Sequence, residues 1–197
     1  RVHDLGYRDH GGVQELREAI LDHIAATRGV IARPEQILIM PSTGAAIGLL
    51  ASALIRAGDP GGDVVWMEEP GYASAQAILR MAGASLVPVP CDTEGIDITR
   101  GTGPSPRLIY VTPSHQYPTG VTMSLSRRLA LLEFARATGA IVLEDDYDSE
   151  FQYASRPIAA LQGIDRGEVV AYVGTFSKTL APGLRVAYAV VPSRLLA

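Results

Sequence analysis

Cysteine is nearly absent: Cys91 is the only one in 197 residues. That excludes an internal disulfide framework and points to a reducing, cytoplasmic compartment. Lysine is as scarce. Of 17 basic residues, 16 are arginine and one, Lys178, is lysine. Histidine numbers four; His3, His10 and His23 show no zinc-ligand spacing with Cys91, so no metal site is expected. Positive charge is not in excess. The net charge of −4 excludes a strongly basic nucleic-acid surface on these residues as a set. No apolar run reaches about 18 residues, which excludes a membrane-spanning helix, and no signal peptide opens the chain. There is no internal repeat, and the 13 prolines and 20 glycines follow no period, against collagen-like and solenoid arrays.

What is present is globular. A hydrophobic fraction of 47% against 19% charged excludes a disordered chain. The length suits one domain over residues 1–197, with a sizeable core. The chain begins at Arg1, and its first methionine, Met40, lies inside an apolar run. The expectation is a piece of a longer protein, incomplete at both ends.

Periodicity alternates along the chain. Residues 13–28 carry Leu16, Ile20 and Ile24 at helical spacing, with Gly29 as a stop. Residues 44–57, 72–82 and 126–138 read as further helices closing at Gly58, Gly83 and Gly139, the last with Ser126 as its cap. Short apolar runs at 36–40, 63–67, 85–89, 107–112, 140–144, 168–173 and 185–191 read as strands. Residues 91–106 are polar and punctuated by Gly and Pro, a connecting loop. Strands alternating with helices predict an α/β fold, and continuous apolar strands predict a sheet covered on both faces. The expected architecture is a three-layer α/β/α arrangement around a mostly parallel, seven-stranded sheet.

Ligands of open α/β sheets bind outside the carboxyl ends of the strands, and the reactive residues of this sequence gather there. Lys178, in GTFSK, is the one primary amine on a side chain; an amine forms a Schiff base with an aldehyde and a guanidinium does not. The alternative is a solvated surface lysine. Ser42-Thr43-Gly44-Ala45-Ala46 precedes a helix, where small residues and free N–H groups receive an anion or simply cap the helix. Arg185, with Thr175 and Ser177, is suited to clamp a phosphate; an interstrand ion pair is the other reading. Asp145 ends an apolar strand and, if buried, needs a partner: a protonated pyridine nitrogen, a neighbouring arginine or a cap. Asp146, Asp148 and Glu150 add acidity, but consecutive carboxylates on a strand do not converge on one cation. Tyr72 is placed to stack on a flat ring or to fill the core. His115 reads as a base or as a hydrogen-bonded structural histidine.

Together these segments resemble the large domain of fold type I pyridoxal-phosphate enzymes, the aspartate aminotransferase superfamily. More narrowly, they resemble the aminotransferase-like domain of MocR-type transcriptional regulators in the GntR superfamily. The resemblance is carried by TPSHQYPTG (residues 112–120), EDDYDSEF (144–151) and YVGTFSKTLAPGLRVAYAVVP (172–192), with GGVQELREAI (11–20) and EEPGY (68–72). It implies pyridoxal 5′-phosphate as cofactor, bonded covalently to Lys178. Asp145 would pair with the ring nitrogen, Tyr147 with the ring hydroxyl, and Tyr72 would stack on the ring. Arg185, Thr175, Ser177 and the backbone at Gly44, Ala45 and Ala46 would hold the phosphate. Tyr7 resembles the tyrosine that reaches the partner's phosphate in family dimers. Tyr117 stands where most relatives carry Asn, a change the regulators share, and Ala45 and Ala46 replace residues that often carry hydroxyl or amide groups. The resemblance further implies an amino acid or other small amine as effector or substrate, a homodimer, and DNA binding only through a winged-helix head outside this chain. The family's substrate-carboxylate arginine would lie in a C-terminal small domain, also outside it. The alternative within the same resemblance is the large domain of a free-standing aminotransferase of amino acids. A binding domain with no covalent cofactor is the reading from another class.

Overall fold

Uninterrupted runs of Val, Ile and Leu make the strands, and helical spacing of Ala, Ile and Leu makes the helices between them. The computed structural model describes residues 10–148, 159–165 and 169–196. Among these, five α-helices and eight strands follow one another. The first half holds α1 (Gln14–Arg28), β1 (Ile37–Met40), α2 (Thr43–Leu54), β2 (Val64–Glu69), α3 (Ala73–Met81), β3 (Ser85–Asp92) and β4 (Gly95–Ile96). The second holds β5 (Leu108–Val111), α4 (Leu125–Thr138), β6 (Ile141–Asp146), α5 (Leu161–Asp165), β7 (Val170–Thr175) and β8 (Ala187–Val190).

Local chemistry sets the helix ends. Gly29 takes φ 67°, a left-handed conformation favoured in glycine, and its N–H donates to the Ala25 carbonyl to close α1. Ser42 caps α2 by accepting the Ala45 N–H at 3.0 Å. The cap of α4 is Ser124, not Ser126: Ser124 is extended and its Oγ accepts the Arg127 N–H at 3.3 Å. Ser126 falls inside the first turn, where its hydroxyl meets that of Ser124 at 2.9 Å.

The strands form one sheet in the order β1-β8-β7-β6-β5-β2-β3-β4. Five neighbours, β7-β6-β5-β2-β3, pair in parallel. Strand β8 is antiparallel to both β7 and β1, so β1 runs in the direction of the parallel set. The expected seven strands become eight because the segment read as a loop holds β4, which pairs Ile96 with Cys91 and Gly95 with Asp92. Two residues are too few to show a period of two.

Alternation along each strand feeds two apolar layers. Val65, Met67, Leu108, Leu143 and Val173 pack with Ile47, Leu50 and Leu54 of α2 and Leu79 of α3. On the opposite face Trp66, Ile109, Val111 and Val142 pack with Leu131, Leu132 and Ala135 of α4 and Leu161 of α5. Ile20 and Ile24 of α1 join Ile37, Tyr172, Tyr188 and Val190 on that second face. This is the three-layer α/β/α arrangement, and it leaves the strand ends as the open edge. The winding reverses between β2 and β5, which places the switch point, and hence the crevice for a ligand, above those carboxyl ends. No helix among the described residues is long and apolar enough to cross a membrane.

Candidate functional site

A cavity of about 280 Å³ opens at that edge. Tyr72 enters it beyond β2, Tyr110, Thr112 and Tyr117 from β5 and its exit, and Asp145 and Tyr147 from β6 and its exit. Thr175, Ser177 and Lys178 come from the end of β7, Ser42 and Thr43 from the start of α2, and Arg185 from the approach to β8. Because β8 is antiparallel to the set, its amino end lies at the same edge as the carboxyl ends, which is how Arg185 reaches the lysine's cavity.

Ten of the residues singled out from the sequence therefore meet: Lys178, Asp145, Tyr147, Tyr72, Arg185, Thr175 and Ser177, with Ser42, Thr43 and Tyr117. Gly44, Ala45 and Ala46 lie just behind the wall, in the first turn of α2. There the Ala45 N–H is held by Ser42 Oγ and the Ala46 N–H by the Ser42 carbonyl at 3.1 Å. Tyr7 lies outside the described residues. Tyr110 is a site residue that sequence reasoning misses. A tyrosine in an otherwise aliphatic, buried strand is the available signal, because a buried phenol requires a hydrogen-bond partner.

The carboxylates of β6 alternate as the strand does. Asp145 faces the cavity, and its neighbours face the other layer. Asp146 accepts from Arg28 Nε at 2.8 Å and from the Tyr172 hydroxyl at 2.6 Å. Glu144 accepts the backbone N–H groups of Leu161 and Gln162 at 2.8 and 2.9 Å, capping α5. The arginine open as a partner for Asp145 thus belongs to Asp146. Asp145 instead accepts the Tyr110 hydroxyl on Oδ2 at 2.6 Å, and its buried Oδ1 has no hydrogen-bond partner among the described residues. Burial pushes its pKa up to about 6, opposed by Tyr110 and Lys178 and assisted by the charges of Asp146 and Asp148. No group of three His, Cys, Asp or Glu among the described residues is placed to hold a metal ion.

The aromatic wall is braced from behind. Glu68, buried on β2, accepts the Thr112 N–H at 3.1 Å and the Thr112 hydroxyl at 2.6 Å. Gln116 links the same carboxylate to the carbonyls of Pro70 and Tyr117, the latter two at 2.7 Å. Gly71 allows the turn: a Cβ there would stand 2.2 Å from the Glu68 carbonyl oxygen. Tyr117 consequently packs edge-on against Tyr72 at 5.1 Å and against Tyr147 at 6.1 Å. Lys178 Nζ lies 4.6 Å from the centre of the Tyr147 ring, a cation–π contact. The hydroxyls of Thr175 and Ser177 are 3.0 Å apart, and Arg185 beside them holds φ 52°, the one positive value outside glycine among the described residues. Such a conformation costs on the order of 1–3 kcal/mol and clusters at functional sites. His115 stands apart from the cavity lining, with Nδ1 2.6 Å from Asp148 Oδ2; of its two readings, the hydrogen-bonded structural one is what the geometry displays.

Three fully buried carboxyls share one direction of shift. Burial raises Glu68 and Glu144 to about 7 and Asp145 to about 6. Each holds its proton more tightly when folded than when unfolded, so its contribution to stability is complete below about pH 4 and is lost as pH rises through 6 to 7. The ligand-free protein should therefore melt several degrees lower at pH 8 than at pH 5.5. Thermal unfolding followed by circular dichroism checks this; a melting temperature that rises over that interval would contradict it.

Residues 3–197 match the family described as aminotransferase class I and II. The chain is 46% identical over 190 residues to the probable rhizopine catabolism regulatory protein MocR of Rhizobium meliloti, covering 96% of this chain and 38% of that protein. It is 41% identical over 185 residues to the HTH-type transcriptional regulator YdeL of Bacillus subtilis (strain 168), covering 94% and 39%. Among solved structures, the α-aminoadipate aminotransferase LysN of Thermus thermophilus, complexed with N-(5′-phosphopyridoxyl)-L-leucine, matches with a TM-score of 0.82 at 32% identity. That match covers 98% of this chain and 49% of that one. The chain thus spans less than half the length of these relatives. With a family match over nearly its whole length and a fold shared with such enzymes, the chain belongs to the aminotransferase class I and II family, as an aminotransferase-like domain homologous to regulators of the MocR type.

Proposed function

We propose that the chain is the pyridoxal 5′-phosphate-binding, effector-sensing domain of a MocR-type regulator of the GntR superfamily, a cytoplasmic homodimer whose DNA-binding head lies outside these residues. The observation that carries the cofactor is Asp145 Oδ1, without a hydrogen-bond partner among the described residues and buried in the wall of a cavity that also holds the chain's only lysine. A buried carboxylate oxygen without a donor is costly, and a protonated ring nitrogen supplies both the donor and the opposite charge. When bound, pyridoxal phosphate supplies an aldehyde for amines and a ring that withdraws electrons.

The chain's own residues have distinct tasks. Lys178 provides the attacking amine, and Tyr72 offers a ring face for stacking. Tyr147, already under the Lys178 ammonium, orients the ring hydroxyl. Arg185 and the hydroxyls of Thr175 and Ser177 take the phosphate; the α2 N-terminus at Gly44, Ala45 and Ala46 adds its first-turn dipole, which favours an anion, while Ser42 keeps the Ala45 and Ala46 N–H groups. Tyr7 is assigned to the partner subunit's phosphate. The effector is an amino acid or another small amine. Its binding must differ in affinity between two arrangements of the full-length protein for a signal to pass.

The regulator reading rests on the 46% and 41% identities to MocR and YdeL. The second reading, the large domain of an aminotransferase of amino acids, is favoured by the match to LysN; fold alone does not choose between them. The cofactor assignment is tested by incubating the protein with pyridoxal phosphate, reducing with borohydride and mapping the added mass. The expected site is Lys178. A folded protein that carries no adduct there would refute the assignment. Gel-shift and amino-transfer assays on the full-length protein then separate regulator from enzyme.

A further inference from the structure

Tyr110 lies at the centre of β5, fully buried, between β2 and β6. Its ring lines the cavity and its hydroxyl donates to Asp145 Oδ2 at 2.6 Å. The phenol cannot exchange roles with the carboxylate. Burial, and the adjacent charges of Asp145 and Glu68, push its own proton loss far above the ordinary tyrosine value, so it stays a donor throughout the working range. One carboxylate oxygen is thereby occupied, and the other is open among the described residues.

We propose that Tyr110 is a positioning residue for Asp145: it fixes the carboxylate's rotation, reserves Oδ1 as the single acceptor for a ring nitrogen, and keeps the group anionic. This rests on the cofactor reading above. The groups that bear on Asp145 among the described residues include Asp146, Tyr147 and Asp148 from its own segment, Tyr110 from β5, Glu68 from β2 and Lys178 from the end of β7. Among the described residues, Tyr110 and Lys178 favour the charged form. Lys178 would be committed to the cofactor as its covalent anchor. Tyr110 is the one of the two that serves Asp145 by a direct hydrogen bond.

The test is Tyr110→Phe, which keeps the ring and removes one oxygen. Two quantities are read: the Kd for pyridoxal phosphate by equilibrium dialysis from pH 5.5 to 8.5, and the Asp145 carboxyl titration by carbon NMR in the cofactor-free protein, assigned with Asp145→Asn. A hydrogen bond to a charged group is worth about tenfold or more in affinity. At pH 7 the variant should bind about tenfold more weakly, and its Asp145 titration should move upward. In the Asp145→Asn background the same Tyr110→Phe change should alter Kd by less than about twofold, because the two residues act through one contact. An unmoved Asp145 titration, or an equal loss of affinity in both backgrounds, would overturn the proposal. The NMR arm needs no cofactor, so absence of a Lys178 adduct would defeat the cofactor reading and still leave the Tyr110–Asp145 coupling decided.

Discussion

Lys178→Ala eliminates the borohydride-trapped adduct completely, and no other side chain takes it up. The reason is compositional as much as structural. The chain holds one lysine, and the guanidinium groups of its 16 arginines do not condense with aldehydes. The chain's own terminal amine is the single competitor, and peptide mapping separates it from Lys178. Weaker, reversible binding should persist in the variant, since Asp145, Arg185 and the hydroxyls of Thr175 and Ser177 remain. The contrast between lost covalency and residual affinity separates this outcome from global unfolding. A side-chain adduct elsewhere in Lys178→Ala would sink the assignment.

The second large effect falls on stability. Arg128 of α4 is wholly buried and spends its guanidinium on three backbone carbonyls. Nε reaches Met123 at 3.0 Å, Nη1 reaches Ala159 at 3.0 Å and Nη2 reaches Pro113 at 2.7 Å. These carbonyls belong to the entry of α4, the approach to α5 and the exit of β5, so one side chain ties together three segments behind the cavity. Arg128→Met keeps most of the volume and removes every donor: the buried Met123 carbonyl loses this partner at about 1–3 kcal/mol, the buried Pro113 carbonyl keeps only the Met123 N–H, and the exposed Ala159 is no longer tied to α4. The carboxylates of Glu144 and Asp146 also lose a nearby positive charge. A loss of about 3–5 kcal/mol is expected, a large share of the roughly 5–15 kcal/mol that holds a domain together. The melting temperature should fall by about 10 °C or more. A change within about 2 °C by circular dichroism would show that these three contacts are not what secures the region.

The parts of this structure that could be read from the sequence are those with a period or a paired motif. The helix α1 and its Gly29 stop, the apolar strands and the edge at which Lys178, Asp145, Tyr147 and Arg185 converge all follow from spacing and from what succeeds each strand. What escaped was short or relational. Strand β4 is two residues long. Ser124 and Ser126 are equally good caps on paper, and the choice between them is made by which backbone is extended. Helix α5 is held by Glu144 from another element, so its own five residues carry little signal. Tyr110 shows as an odd polar atom in an apolar run, but that its partner is Asp145 depends on β5 and β6 pairing Tyr110 with Leu143 and Val111 with Glu144. Sequence distance gives no access to that register. Likewise, the sorting of Asp145 toward the cavity and Asp146 toward Arg28 follows from alternation, once the strand is known to continue to Asp146.

The position of β1 bears on how the molecule is made. Among the described strands its one neighbour in the sheet is β8, with Ile37 opposite Val190. A chain emerging from the ribosome at about 5–20 residues per second releases β1 well before its partner β8, with β2 to β7 made in between. Such distant pairing is slow to form, because a long loop must close before any contact repays it. The edge that carries Ser42 and Thr43 is thus completed only after β7 and β8 have joined. A nascent chain cut short before β8 loses more than an edge strand: it also leaves β1 unpaired, with an open backbone edge exposed to other strands.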